Sequence, residues 1–205
     1  MLIFNIIVVI SKKTGIISYR TVLNEVEFLS KLFNSYIKSY TITPETEEEY
    51  FSLVRDLYFS DEVQSLAQYE QHLEINRLQH VTSVSFISYK IAKKLKLDYR
   101  MIARGTLLHD LFYYDWRDAS GNWHRPHGYK HPVFAYYNAQ ELNKDISEPE
   151  KDMILHHMFP LTLSLPKYKE SYILIFSDKY CAAQELIYSL SKSYRRKIDL
   201  LIKGK

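Results

Sequence analysis

The residue types best suited to metal chemistry in this chain are histidines and aspartates on apolar helical faces. His80 shares a helical stripe with Val84 and Ile87, because these positions recur at three- and four-residue steps. A buried imidazole needs a partner, which is either a carbonyl in the core or a bound cation. His109 and Asp110 end an apolar helical segment, and neighbours about 100° apart can reach one point only near a helix terminus. This pair is therefore a candidate set of metal ligands.

Asp178 is a carboxylate predicted to face the core. It shares a helical face with Leu174 and Cys181, where an isolated ionised group would cost several kcal/mol. Either a divalent cation or a salt bridge to Lys179 or Arg104 can neutralise it. Because imidazole and carboxylate ligands combine around divalent ions, Asp178 is a candidate ligand together with the histidines.

Further histidines make a second ion possible. His131 precedes a predicted helix and His157 follows an apolar one, so both imidazoles are expected to point inward or to the mouth of a site. His156 is adjacent to His157, and spacing alone does not decide which of the two is a ligand. His124 and His127 lie in a loop beside aromatic and basic residues, where they either line the mouth of the site or have no catalytic role.

Composition restricts both the class of protein and the metal ligands. The chain has 205 residues, of which 46% are hydrophobic and 25% charged, and its net charge of +3 gives no strong nucleic-acid signal. Cys181 is the sole cysteine, which excludes a thiolate zinc cluster and favours a cytoplasmic location. The apolar run of residues 1–10 is shorter than the roughly 20 residues that span a bilayer, and no membrane association is expected.

The pattern along the chain predicts a mainly α protein. Glycine and proline are scarce, at 5 and 6 residues, and helical periodicity recurs in place of strand alternation. Residues 1–59 are predicted to form a partly helical N-terminal extension, in which residues 6–10 and 16–19 can pair as a short hairpin. Residues 60–205 are predicted to form the main helical domain, with the boundary near Ser60.

Local signals predict where the helices that carry these side chains begin and end. Asp98 can cap a helix that ends near Leu111, and Ser147 and Glu150 have the spacing of a capping box. Residues 115–130 contain glycine and proline and are predicted to be a loop. Pro132 then opens a helix over residues 133–143. Other helices are predicted over residues 25–40, residues 50–58, a segment containing residues 80–95, and residues 169–188, the last of which can extend to residue 202.

The order of these residues resembles that of a known family, the HD-domain metal-dependent phosphohydrolases. The family's pattern is a histidine, a His-Asp pair and an aspartate, and this chain has His80, His109-Asp110 and Asp178 in that order. The stretches RGTLLHDLFYYDW, HGYKHP, HHMFPLT and SDKYCA look like a bacterial HD subfamily, and the resemblance covers residues 66–185. It implies an HD-type helical bundle with one or two divalent ions. The implied ligands of the first ion are His80, His109, Asp110 and Asp178, and His131 and His157 complete a second site bridged by Asp110.

The resemblance further implies hydrolysis of a phosphoester in a small substrate, with a nucleotide as one candidate. His157 is favoured over His156 as the ligand because it stands directly before MFPLT. The bound ion, with Mn, Mg, Fe, Co or Ni as candidates, would activate the attacking water and offset phosphate charge. Asp110 is the candidate catalytic residue that orients or deprotonates that water.

Two basic residues and an aromatic cluster are candidates for contact with the substrate. Lys130 is a second candidate catalytic residue, and Lys130 and Arg125 are the candidate phosphate-binding residues. Both are equally consistent with solvated charges of a loop. Four aromatic residues follow the His-Asp pair closely, namely Phe112, Tyr113, Tyr114 and Trp116. Such aromatics either form a wall that stacks a nucleobase or belong to the core.

Two other functions are compatible with the same residues. Some relatives with the HD fold use a di-iron pair and six ligands to activate oxygen, and the six candidate ligands named above would allow that chemistry. A non-catalytic binding module that keeps metal for stability alone is the third hypothesis. Oxygen uptake by iron-loaded protein separates the oxygenase from the hydrolase, and cleavage of phosphoesters separates the hydrolase from the binding module.

Overall fold

A computed structural model describes residues 19–72, 75–118 and 126–203. These residues are mainly helical, which confirms the predicted fold class. The predicted hairpin of residues 6–19 lies outside them, except that Tyr19 is the first residue of a helix. Within this part of the chain, no helix combines the length and the apolar composition that crossing a membrane requires.

One small pair of strands precedes the helix that begins at Arg77, and the other described elements are helices and one 3-10 turn. The two strands are antiparallel, with Glu70 opposite Asn76. In chain order the elements are α1 (Tyr19–Lys38), α2 (Glu48–Tyr58), α3 (Asp61–Gln64), a 3-10 turn (Ser65–Gln68), β1 (Glu70–His72), β2 (Ile75–Asn76), α4 (Arg77–Lys94), α5 (Tyr99–Leu107), α6 (His127–Leu142), α7 (Glu148–His156), α8 (Lys169–Leu190) and α9 (Lys192–Lys203).

Helix α4 lies at the centre of the fold and contributes to two hydrophobic clusters. Its Phe86 packs in the first cluster with Tyr50 of α2. Its Val84 packs in the second cluster with Leu32 of α1 and Leu174 of α8. Because α4 is enclosed on both sides, its first turn is held at a defined position relative to α8.

The predicted division of the chain near Ser60 stays a prediction. Tyr50 and Phe51 precede this point, and they pack in the same cluster as Val81 and Leu107, which follow it. The first cluster therefore draws on both sides of the predicted boundary.

Two helix starts agree with the sequence signals. The Asp98 carboxylate accepts a hydrogen bond from the Met101 backbone N–H at 3.0 Å and caps α5. Ser147 and Glu150 form a complete capping box at the start of α7. The Ser147 N–H donates to the Glu150 carboxylate at 2.9 Å, and the Glu150 N–H donates to the Ser147 hydroxyl at 3.4 Å. Both predictions are confirmed, since each depends only on residues three apart in the chain.

Helix α6 begins earlier than predicted. The prediction of a loop to residue 130 is wrong for its last four residues, because α6 starts at His127 and Pro132 lies inside the helix. The Tyr129 and Lys130 N–H groups donate to the Pro126 carbonyl at 3.0 and 3.2 Å, which forms the first turn. Pro132 lacks only the N–H that would reach the Gly128 carbonyl, so one hydrogen bond is lost and the helix continues.

The end of α5 also differs from the prediction, whereas that of the long C-terminal helix agrees with it. Helix α5 ends at Leu107 and not near Leu111, so His109 and Asp110 follow the helix in a turn. The long C-terminal helix ends at Leu190, close to the predicted residue 188, and α9 starts at Lys192 after an extended Ser191, so the helix does not continue to residue 202. The Tyr188 hydroxyl donates to Asp199 at 2.8 Å, which ties α9 back against α8. The last helix therefore packs back on α8 and does not continue it.

A buried carboxylate joins α7 to the start of α8. Asp152 accepts hydrogen bonds from the Lys167 N–H at 3.0 Å, the Tyr168 N–H at 3.3 Å and the Ser171 hydroxyl at 2.6 Å. Burial opposes ionisation, but these hydrogen bonds outweigh it and lower the pKa of Asp152 below its ordinary value. The ionised carboxylate is therefore part of the packing between α7 and α8.

We expect Asp152→Asn to reduce the free energy of unfolding by about 1–2 kcal/mol at pH 7, because the amide accepts fewer hydrogen bonds than the carboxylate. Because the pKa of Asp152 is lowered in the folded protein, its ionised carboxylate stabilises the fold at pH values above the ordinary pKa of aspartate. This contribution is lost as the pH falls through the lowered pKa. The difference from the parent should thus shrink in urea unfolding below about pH 4. Glu148→Gln, at an exposed position of α7, is the control; an equal loss in both variants would contradict the role of Asp152.

Candidate metal centre

Six side chains predicted as ligands lie around one point of the fold. They come from the first turn of α4, the turn after α5, helix α6, the end of α7 and the middle of α8. The ligand atoms of His80, His109 and Asp178 lie within 4.8 Å of one another, and so do those of His109, Asp110 and His157. His131 adjoins the second group. All six residues are buried: His80, His109, Asp110, His131, His157 and Asp178.

The first group is centred on one oxygen of Asp178. Its Oδ1 is 3.2 Å from His80 Nε2 and 3.9 Å from His109 Nε2. Asp178 and His80 are 98 residues apart in the chain, and they meet because α8 packs directly against α4. The arrangement offers two imidazole nitrogens and one carboxylate oxygen to a single ion.

Asp110 connects the two groups. Its Oδ2 is 3.8 Å from His109 Nε2, whereas its Oδ1 is 3.3 Å from His131 Nε2 and 3.5 Å from His157 Nε2. The two oxygens of one carboxylate thus face different histidines. This is the geometry that a bridging carboxylate needs.

Three of the histidines are oriented by backbone carbonyls. His109 Nδ1 is 2.8 Å from the Thr106 oxygen, His131 Nδ1 is 2.8 Å from the His127 oxygen, and His157 Nδ1 is 2.8 Å from the Ile154 oxygen. A carbonyl only accepts, so each Nδ1 carries the proton and each Nε2 of the neutral ring presents a lone pair to the centre. Backbone orientation of this kind is typical of metal-ligating histidine.

The centre fits a divalent cation. Among the described residues, His109 Nε2 and Asp110 Oδ1 are buried without a hydrogen-bond partner. His131 Nε2 and His157 Nε2 are 2.8 Å apart, and two lone pairs at that distance repel unless a proton or a cation lies with them. A cation bound by these nitrogen and oxygen atoms would satisfy all of these groups at once.

The electrostatic environment keeps three of the candidate ligands, His109, Asp110 and Asp178, in the protonation state that binds a cation. Burial lowers the pKa of His109 to about 4, so the ring is neutral at neutral pH. Burial opposes ionisation of Asp110 and Asp178, but it is outweighed in both. The neighbouring imidazole of His109 and the contacts of His131 and His157 hold the pKa of Asp110 well below its ordinary value, and the hydrogen bond of His80 does the same for Asp178.

Glu185 is a buried partner of the centre that the sequence predictions missed. His80 Nδ1 lies 2.9 Å from Glu185 Oε1, and Glu185 is on the same face of α8 as Asp178, seven residues later. Burial opposes a charge on His80, but Glu185 and Asp178 together hold its pKa well above the ordinary value. His80 is therefore protonated between two carboxylates, and binding of an ion at Nε2 would release this proton.

The centre opens into a cleft of about 200 Å³. Two rings lead from its mouth to the ligands: Trp116 stacks on His127 with ring centroids 5.6 Å apart, and His127 stacks on His131 at 4.3 Å. His127 thus lines the mouth of the cleft, which is one of the two roles that the sequence left open for it. The described lining residues are Gln71, Asp110, Trp116, His127, His131, His157, Met158, Asp178, Lys179 and Ala182.

Lys179 is the cation that lines the described part of this cleft. Its Nζ lies 2.7 Å from Asp178 Oδ2, so Asp178 has a salt-bridge partner on its outer oxygen while its inner oxygen faces His80. Arg104, the other base considered for Asp178, pairs with Asp56 at 2.6 Å. The salt-bridge and metal-ligand interpretations of Asp178 therefore apply to different atoms of the same carboxylate.

The other predicted contact residues lie elsewhere or outside the described part of the chain. Lys130 is half-buried on α6 and is absent from the described lining of the cleft. Arg125 and His124 are outside the described residues. His156 Nδ1 is 2.8 Å from Asp152 Oδ1, away from the centre that His157 faces. The positions of His156 and His157 thus agree with the choice of His157 as the candidate ligand.

One family model matches the chain. It is described as HD domain, and the match covers residues 77–186, which is more than half of the chain. The matched range begins at the first residue of α4 and ends within α8, so it includes all six predicted ligands. A search of curated proteins and a search of solved structures each returned no match.

Proposed function

Because the chain belongs to the HD-domain family, we propose that it is a metal-dependent hydrolase that cleaves a phosphoester in a small substrate. Most members of this family are metal-dependent hydrolases. The observation that carries the proposal is a buried His/Asp centre with unpaired ligand atoms at the floor of an open cleft. A nucleotide is one candidate substrate.

The ligand set supports binding of one or two first-row transition ions. His80, His109, Asp110 and Asp178 would hold the first, and Asp110, His131 and His157 the second. Imidazole nitrogens suit ions such as Fe, Co and Ni better than Mg, which prefers oxygen ligands and water. When bound, such an ion supplies a Lewis acid that offsets phosphate charge and lowers the pKa of water.

Asp110 would orient the attacking water. It lines the cleft, it is ionised, and its Oδ1 lacks a hydrogen-bond donor among the described residues. A carboxylate whose pKa is held well below its ordinary value is a weak base, so Asp110 is better suited to accept a hydrogen bond from water than to remove its proton. We therefore favour the orienting role over proton abstraction.

Lys179 would bind the phosphate of the substrate. Its Nζ is fixed by Asp178 Oδ2 at the wall of the cleft, close to the candidate ligands, and its side chain is 44% exposed, so it can reach a bound anion. An ammonium group on a flexible stem is a common point-charge partner of phosphate oxygens. Lys130 and Arg125 stay as the candidates proposed from the sequence.

Lys179→Ala is expected to raise KM for a phosphoester about 10- to 100-fold, since a lost hydrogen bond to a charged group costs roughly 1.5–3 kcal/mol. Steady-state kinetics at saturating metal would measure the change. Lys144→Ala, at an exposed position between α6 and α7, is the matched control. If Lys130→Ala raised KM and Lys179→Ala did not, the assignment of the phosphate contact to Lys179 would be wrong.

The proposed function is tested with protein loaded separately with Mn, Fe, Co, Ni or Mg. The panel contains p-nitrophenyl phosphate, bis-p-nitrophenyl phosphate and nucleoside mono-, di- and triphosphates. We expect cleavage that EDTA abolishes and that His109→Ala lacks. Oxygen consumption by the iron-loaded protein, coupled to an organic substrate, would favour the di-iron oxygenase. Metal binding without turnover of any kind would favour the non-catalytic module.

A further inference from the structure

Gln71 is the residue of β1 that touches the candidate centre. Its Nε2 donates to Asp110 Oδ2 at 2.8 Å, and its Oε1 accepts a hydrogen bond from Arg77 Nε at 3.0 Å. A guanidinium group only donates, so the amide oxygen must face Arg77 and the amide NH2 must face Asp110. The orientation of the Gln71 amide is thus set by its two partners.

Arg77 is itself held rigidly. It is fully buried, its Nη1 donates to the Phe112 carbonyl at 2.6 Å and its Nη2 donates to the Tyr114 carbonyl at 3.2 Å. Its guanidinium also lies 3.5 Å from the centroid of the Phe112 ring. These contacts attach the first residue of α4 to the segment that directly follows Asp110.

The Gln71 amide lies between two buried charged groups, the Arg77 guanidinium and the Asp110 carboxylate. Burial lowers the pKa of Arg77 to about 10, which leaves the group charged at neutral pH. In the part of the chain that the structure describes, no carboxylate makes a direct ion pair with this guanidinium. The amide dipole, positive toward Asp110 and negative toward Arg77, therefore connects the two buried charges.

We propose that Gln71 is a positioning residue that fixes the rotation of the Asp110 carboxylate. Held at Oδ2 by Gln71, the carboxylate turns Oδ1 toward His131 and His157 and keeps Oδ2 near His109. The inference rests on the proposed function in one respect, namely that the centre binds a divalent ion. Hydrogen bonds of this kind to ligating carboxylates typically change metal affinity 10- to 100-fold.

The test measures the metal affinity of the 205-residue chain by isothermal titration with Mn²⁺ and with Co²⁺. Gln71→Met removes both hydrogen bonds at similar volume. Gln71→Glu keeps an acceptor for Arg77 but loses the donor to Asp110 and adds a like charge beside it. We expect both variants to bind the ions about 10- to 100-fold more weakly than the parent. Gln64→Met is the matched control, because Gln64 donates to the Tyr58 carbonyl at 2.6 Å away from the cleft.

A second measurement separates positioning from a general structural role. Thermal unfolding in EDTA gives the Tm of the ion-free protein, and unfolding with added ion gives the rise in Tm that the ion causes. If Gln71 is a positioning residue, this rise should be smaller in Gln71→Glu than in Gln64→Met. Parent-like affinity in both Gln71 variants would overturn the inference while leaving the proposed function intact. A parent that binds the ions but cleaves no phosphoester would overturn the proposed function, and the affinities would still decide the role of Gln71. A parent that binds neither ion would overturn both.

Discussion

Asp110→Asn is expected to remove metal-dependent phosphoester cleavage almost completely, with kcat/KM lowered by about 1,000-fold or more. The reason is the central position of this carboxylate: Oδ2 faces His109 and Oδ1 faces His131 and His157. An amide supplies one neutral oxygen in place of two charged ones. Its NH2 group would also point at an atom whose lone pair the ion needs as a ligand.

The same substitution should leave the ion-free protein folded, although the amide lacks the stability that the ionised carboxylate contributes. The new N–H can donate to His131 Nε2 or His157 Nε2, which face each other at 2.8 Å, and this hydrogen bond offsets part of the loss. Urea unfolding in EDTA, combined with metal titration, would show loss of binding without loss of the fold. Asp115→Asn is the matched control, since Asp115 pairs with Arg117 on the surface. Ion binding of parent strength in Asp110→Asn would remove Asp110 from the ligand set.

Removal of metal is the second change for which we expect a large effect, here on stability. An ion present at about 100 times its Kd stabilises the folded chain by roughly 2.7 kcal/mol. For a chain of this size each kcal/mol corresponds to about 2–4 °C, so Tm should fall by about 5–10 °C on chelation. The physical source is the set of buried groups that lack partners without the ion, His109 Nε2 and Asp110 Oδ1 among them.

Differential scanning calorimetry of the parent in EDTA and in a series of divalent ions would measure this effect. The rise in Tm should follow the ion concentration and should be absent in His109→Ala, which lacks the nitrogen that both groups share. His156→Ala is the control, because His156 contacts Asp152 and not the centre. A parent whose Tm is the same in EDTA and in all of the ions would show that the cluster is held together by its own hydrogen bonds.

The sequence by itself determined what depends on short-range geometry. The burial of His80 and Asp178 was predictable because residues three or four apart share a helical face. The caps at Asp98 and Ser147 depend on a side chain and an N–H three residues away. The apolar pattern predicted His109 and Asp110 in the last turn of a helix that ends near Leu111, whereas α5 ends at Leu107 and both residues lie in the turn that follows it. That these residues ligate metal stays a prediction.

Only the tertiary structure decided which side chains from distant segments meet. Lys179 and not Lys130 lines the described cleft, because α8 presents that face beside the turn after α5. His157 and not His156 faces the centre, since the residue after α7 turns inward while His156 pairs with Asp152. Gln71 reaches Asp110 across 39 residues of chain through a short strand that no periodicity predicted. Such contacts arise from the packing of whole helices, which a local pattern of residue types does not encode.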